Sequence, residues 1–120
     1  MDKRIDKAIK KWRKILLMDD WDIAWSFSDA LVVDGQVRAY PNEHEIQIGF
    51  KLLVSGYKDE ELDRLVAHEM VHAIVQPIDD YMDPWVHEYL PVGTLVPFWA
   101  GCNTAENRVI EDLLRILRAR

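Results

Sequence analysis

The sequence predicts an α+β fold: an N-terminal helix, a small antiparallel sheet of three to four strands, a second helix, a long aromatic loop and a C-terminal helix. Three observations carry this prediction. "WDIAWSF" and "HEIQIGF" alternate apolar with polar or small residues, the period of half-buried strands. Residues Glu60–Gln76, and those from Asn103 onward, repeat their apolar side chains at the helical period. Between them, Pro77–Asn103 holds four prolines and two glycines and keeps neither period.

At 120 residues and 49% hydrophobic side chains, the chain is one domain's worth of sequence, and a single domain over residues 1–120 is expected. Its one cysteine, Cys102, has no internal partner, and no leader pattern opens the chain, so a cytoplasmic protein is expected. No apolar run approaches the roughly 20 residues of a membrane span. The net charge of −6 argues against a nucleic-acid partner.

The first helix carries Ile5, Ala8, Ile9, Trp12, Ile15 and Leu16 as its core stripe and ends near Met18–Asp20. Met1–Lys14 holds seven Lys or Arg against two Asp. Such a basic start suits a polyanion or membrane surface, and it equally suits the wet face of an ordinary packed helix, which is the reading preferred here. Trp21–Phe27 follows as a strand. Asp34-Gly35, between two apolar-containing runs, predicts a hairpin turn. A turn at "PNE" then leads into the run Ile46, Ile48, Phe50, completing an antiparallel meander.

The helix Glu60–Gln76, which Pro77 is expected to end, contains His68-Glu69-Met70-Val71-His72. His68 and His72 lie about 40° apart on the helix wheel, with Glu69 about 100° from His68, while nearly all other faces are apolar. Two imidazoles one turn apart can hold one cation, and zinc accepts neutral histidine nitrogens. The adjacent carboxylate points past such a metal and is placed to take a proton from water. The bland alternative is a solvent face of no special chemistry. His-Glu-x-x-His arises by chance in a chain this short on the order of once in several hundred sequences, and a surface face favours Lys, Arg and Glu.

A catalytic zinc needs a third protein ligand. Glu106 sits at the centre of the apolar face of the last helix, among Ile110, Leu113 and Leu117, where a lone carboxylate is costly unless bound or paired. A capping box, with Asn103 as N-cap and Glu106 reaching back to it, is the competing reading. His87 and Glu88 are further candidate ligands.

"HEMVH" followed by a glutamate on a later helix, in "ENRVI", resembles the zincin metallopeptidases whose third ligand is Glu, the gluzincins, and in scale resembles small phage-encoded minimal zincins. The metzincin pattern is absent, since Ile78 stands where its third histidine would be and Val75 where its glycine would be. The resemblance implies a zincin-like fold and a zinc-dependent hydrolase of peptide bonds. It implies His68, His72 and Glu106 as ligands of Zn²⁺, Glu69 as general base, and a peptide or protein substrate. It also implies a substrate-pairing edge strand, for which His44, Glu45, Ile46, Gln47 and Ile48 are the assigned residues. Tyr81, His87 and Tyr89, in the aromatic loop, are candidate oxyanion or substrate contacts. A non-catalytic interaction module that uses the aromatic loop 77–103 is the alternative from another class.

Overall fold

The computed structural model describes residues 2–118. The chain divides into two compact units, Met1–Ala73 and Ile74–Arg120.

In the first unit, α1 (Lys3–Ile15) is capped by Asp2, whose side chain accepts from the Arg4 N–H at 3.0 Å. Ile5, Ala8, Ile9 and Trp12 are buried while the lysines face solvent, so the basic stretch is the wet side of a packed helix. Ile15, assigned to the core stripe, is instead 41% exposed. Leu17 ends the helix with φ 56°, and the Met18 N–H returns to the Arg13 carbonyl at 2.8 Å, the bond pattern of a helix closed by a left-handed residue.

Strands β1 (Asp22–Phe27), β2 (Gly35–Tyr40) and β3 (Glu45–Phe50) form one mixed sheet in the order β1-β3-β2, with β1 parallel and β2 antiparallel to β3. The sequence predicts a meander with a turn at Asp34-Gly35, and the structure corrects this. Gly35 opens β2 with ordinary negative φ. The reversal between neighbours comes at Pro41–Glu43, a 3-10 turn closed by His44 at φ 50°. β1 therefore reaches β3 only after the chain has passed through β2, and a pair joined by so long a connection can run parallel.

One sheet face carries Ile46, Ile48 and Phe50, all buried. α1 covers this face, since Trp25, paired with Ile48, donates to Asp6 at 2.7 Å. Trp12 in turn donates to Asp63 at 3.0 Å, tying α1 to the next helix. Arg4 reaches the Ser55 and Tyr57 carbonyls at 2.8 and 2.7 Å, fastening the start of α1 to the segment before that helix. The opposite sheet face is polar, with Ser26, Gln36, Arg38 and Gln47 exposed.

Helix α2 (Asp59–Tyr89) contributes to both units and contains Pro77 and Pro84. The sequence predicts an end at Pro77, and the helix continues through it. A proline removes one backbone donor, and the turns beyond are held by i,i+4 side-chain pairs: Gln76 with Asp80, His87 with Asp83, and Trp85 stacked on Tyr89.

In the second unit, a 3-10 turn at Val92–Thr94 leads into α3 (Leu95–Arg118). The predicted aromatic loop 77–103 is thus almost wholly helical. α3 begins eight residues before Asn103, so Asn103 cannot cap it and the capping-box reading of Glu106 falls. Residues 119 and 120, predicted to continue the last helix, lie outside the described residues.

Candidate functional site

The 59–73 stretch of α2 buries Leu62, Val66, Ala67, Met70, Val71 and Ala73, which leaves a narrow wedge for polar side chains. His68 and His72 fill that wedge, and their Nε2 atoms converge to 3.1 Å with the rings 67° apart. Two nitrogens bound at 2.0–2.1 Å by a tetrahedral ion stand roughly 3.3 Å from each other. The pair therefore fits two adjacent corners of a zinc site. The same distance lets one ring's N–H donate to the other ring.

Glu69 is the one buried charged residue among those described, at 6% exposure. Burial pushes its carboxyl up to about 7, and the neighbouring His68 opposes that shift. A carboxyl poised near neutrality can both take and return a proton at physiological pH. Nothing in helix geometry alone requires this burial. Gly35, at the head of β2, lies against the Glu69 side chain: a β-carbon built at Gly35 would stand 3.1 Å from Cγ.

β2 is also a sheet edge. Lys51 donates to the Asp34 carbonyl at 2.9 Å. By the alternation of antiparallel ladders, Gln36, Arg38 and Tyr40 then bond to β3, while Gly35 and Val37 turn N–H and C=O outward. The sequence assigns the edge to residues 44–48, and this is corrected. β3 is the central strand, with both sides paired, so Glu45, Ile46, Gln47 and Ile48 have no main-chain edge to offer. His44 precedes the strand in a left-handed turn, stacked on Trp21 at 5.0 Å and paired with Asp20 at 2.9 Å.

Glu106 belongs to the second unit. Its carboxyl is raised to about 7, first by burial and then by a hydrogen bond and charge repulsion from Asp79. The proton that Glu106 retains is the one it can donate to Asp79. Asp79 Oδ1 is buried and has no hydrogen-bond partner among the described residues. An orphaned carboxylate oxygen beside a second carboxyl is a donor set that a cation satisfies. Among the described residues no group of three or more His, Cys, Asp and Glu is gathered around one point.

Tyr81, His87, Glu88 and Tyr89 lie on the second half of α2, not on a loop, and all four are exposed. His87 Nδ1 lies 3.0 Å from the Asp83 carbonyl oxygen, within its own helix.

Comparison with protein-family models, curated proteins and solved structures gives no match.

Sequence reasoning misses two residues. Gly35 is hidden by the Asp-Gly turn signal, although a glycine at a strand also marks close approach of another group. Asp79 has no sequence signal, because it follows Pro77 in the segment predicted as loop.

Proposed function

We propose that the chain is a zinc-dependent peptidase in which His68 and His72 hold the metal and Glu69 is the general base. The observation that carries this reading is the convergence of the two histidine Nε2 atoms to 3.1 Å beside a carboxyl that is almost fully buried. A purely structural helix has no use for a buried acid one residue from such a pair, since the desolvation cost goes uncompensated. The third ligand is the one the resemblance implies, Glu106.

Zinc, when bound, lowers the pKa of a water molecule and polarises a carbonyl oxygen. Glu69 accepts the proton of the attacking water. His68 and His72 would hold the ion on the helix through their ring nitrogens. Substrate pairing is assigned to β2, whose outward Gly35 and Val37 groups can bond to an extended peptide along the edge that begins at Glu69. The resemblance of "HEMVH" and "ENRVI" to gluzincins supports the metal-holding and base roles, not the choice of strand.

A second reading, a binding module without catalysis, draws on the exposed Tyr81, Trp85 and Tyr89 of α2, at 72%, 52% and 67%. One experiment separates the two. The full chain, purified without a histidine tag, is expected to hold about one zinc and to cleave unfolded casein. Glu69→Gln should retain the zinc and lose activity by about 100-fold or more, because Gln cannot accept the proton. His68→Ala combined with His72→Ala should abolish zinc binding, and full occupancy in that double variant refutes the site. Equal inertness of the parent and Glu69→Gln favours the binding module.

A further inference from the structure

We propose that Gly35 is a positioning residue for Glu69: the missing side chain at the head of β2 lets the strand lie against the Glu69 carboxyl and fix its aim. This inference rests on the peptidase reading and adds to it a residue from outside α2.

A β-carbon at Gly35 would sit 3.1 Å from Glu69 Cγ and 3.3 Å from both Cδ and Oε1. Non-bonded heavy atoms rest at about 3.5–4.0 Å, so a methyl group there would displace the carboxyl by a few tenths of an ångström. Space, not backbone conformation, is what requires glycine, since no glycine among the described residues has positive φ. The other glycines make the contrast. Gly56, Gly93 and Gly101 would meet nothing within 4 Å, and Gly49 would meet a Leu31 methyl at 3.3 Å. Only at Gly35 is the close neighbour an ionisable side chain.

Glycine in a strand is unfavourable for the strand itself. Here it brings β2 against a carboxyl that is 6% exposed and has little room to withdraw. A general base works within about 2.6–3.2 Å of the proton it takes, and a misplacement of about 1 Å costs on the order of 100-fold. A shift of a few tenths of an ångström should therefore be visible in turnover without altering substrate pairing, because an added methyl points toward Glu69 while the Gly35 N–H and C=O turn outward from the edge.

The test uses the full zinc-loaded chain and unfolded casein. Gly35→Ala is expected to lower kcat about tenfold and Gly35→Val about 100-fold, each with KM within about twofold of the parent and zinc content unchanged. Urea midpoints supply a readout independent of activity. Gly35→Ala should lower the midpoint in the parent but not in a Glu69→Ala background, where the added methyl meets vacated space. Unchanged kcat in Gly35→Ala overturns the proposal, and so does an equal midpoint loss in both backgrounds. A parent chain that leaves casein intact counts against the peptidase reading alone. The two midpoints then still decide the contact: background-dependent loss supports it and background-independent loss overturns it.

Discussion

Glu106 and Glu69 are acids held above their ordinary range, and the sign of the consequence is opposite to that of a salt-bridged carboxylate. Each titrates near 7 in the folded chain against an ordinary value of 4.5. Between those values the folded state keeps a proton that the unfolded state has released, so stability is fullest below about 4.5 and declines as pH rises to about 7. We predict that urea midpoints of chelator-treated protein fall over this interval. Glu106→Gln, which cannot ionise, should flatten part of the fall. With zinc supplied, the same variant should bind the metal more weakly in competition with a chelator, whereas Glu111→Gln, on the exposed face of α3, should bind as the parent does. A midpoint profile in Glu106→Gln identical to that of the parent would remove the acid pair from the account. The mutual placement of His68, Glu69 and His72 is legible in the sequence because one turn of helix fixes it whatever surrounds them. Gly35 and Asp79 are not, since both gain their meaning from a neighbour distant in sequence or from a helix that continues through a proline.

Among the elements, α1 carries a correctable cost. Leu17 is 84% exposed at φ 56°, a backbone region that disfavours a side chain by about 1 kcal/mol. Leu17→Gly should therefore raise stability by about 0.5–1 kcal/mol in urea titration, and a loss would mean that the leucine makes contacts that outweigh its conformation. β2 offers a functional counterpart. Its residue 37 turns its N–H away from β3, so Val37→Pro removes an outward donor without breaking a ladder bond. Under the peptidase reading, the variant should stay folded by circular dichroism and raise KM on casein about tenfold, the worth of one hydrogen bond. An unchanged KM would move substrate pairing off this strand. Period-2 alternation located β1 and β3, but it says nothing of strand order, and a parallel partner cannot be inferred from a short apolar run. Prolines misled for a related reason: Pro77 and Pro84 are local penalties, and a helix of 31 residues can absorb them.

For the whole molecule, the predicted α+β class holds and its wiring does not. The helices and the polar and apolar sheet faces follow from composition and period, which are properties of segments. The order β1-β3-β2 is a property of how segments meet. No helix among the described residues is long and apolar enough to cross a membrane, in keeping with the charged exteriors of α1 and α3. The central place of β3 also bears on the order of events during synthesis. It is the last strand to leave the ribosome, and the two strands made before it bond to β3 and not to each other. A nascent chain that has reached only Tyr40 holds two edges with no middle, so no part of the sheet can set until Glu45–Phe50 emerges. Once it does, both pairings become available at the same moment, and the turn at Pro41–Glu43 favours the antiparallel one first because it closes the shorter loop.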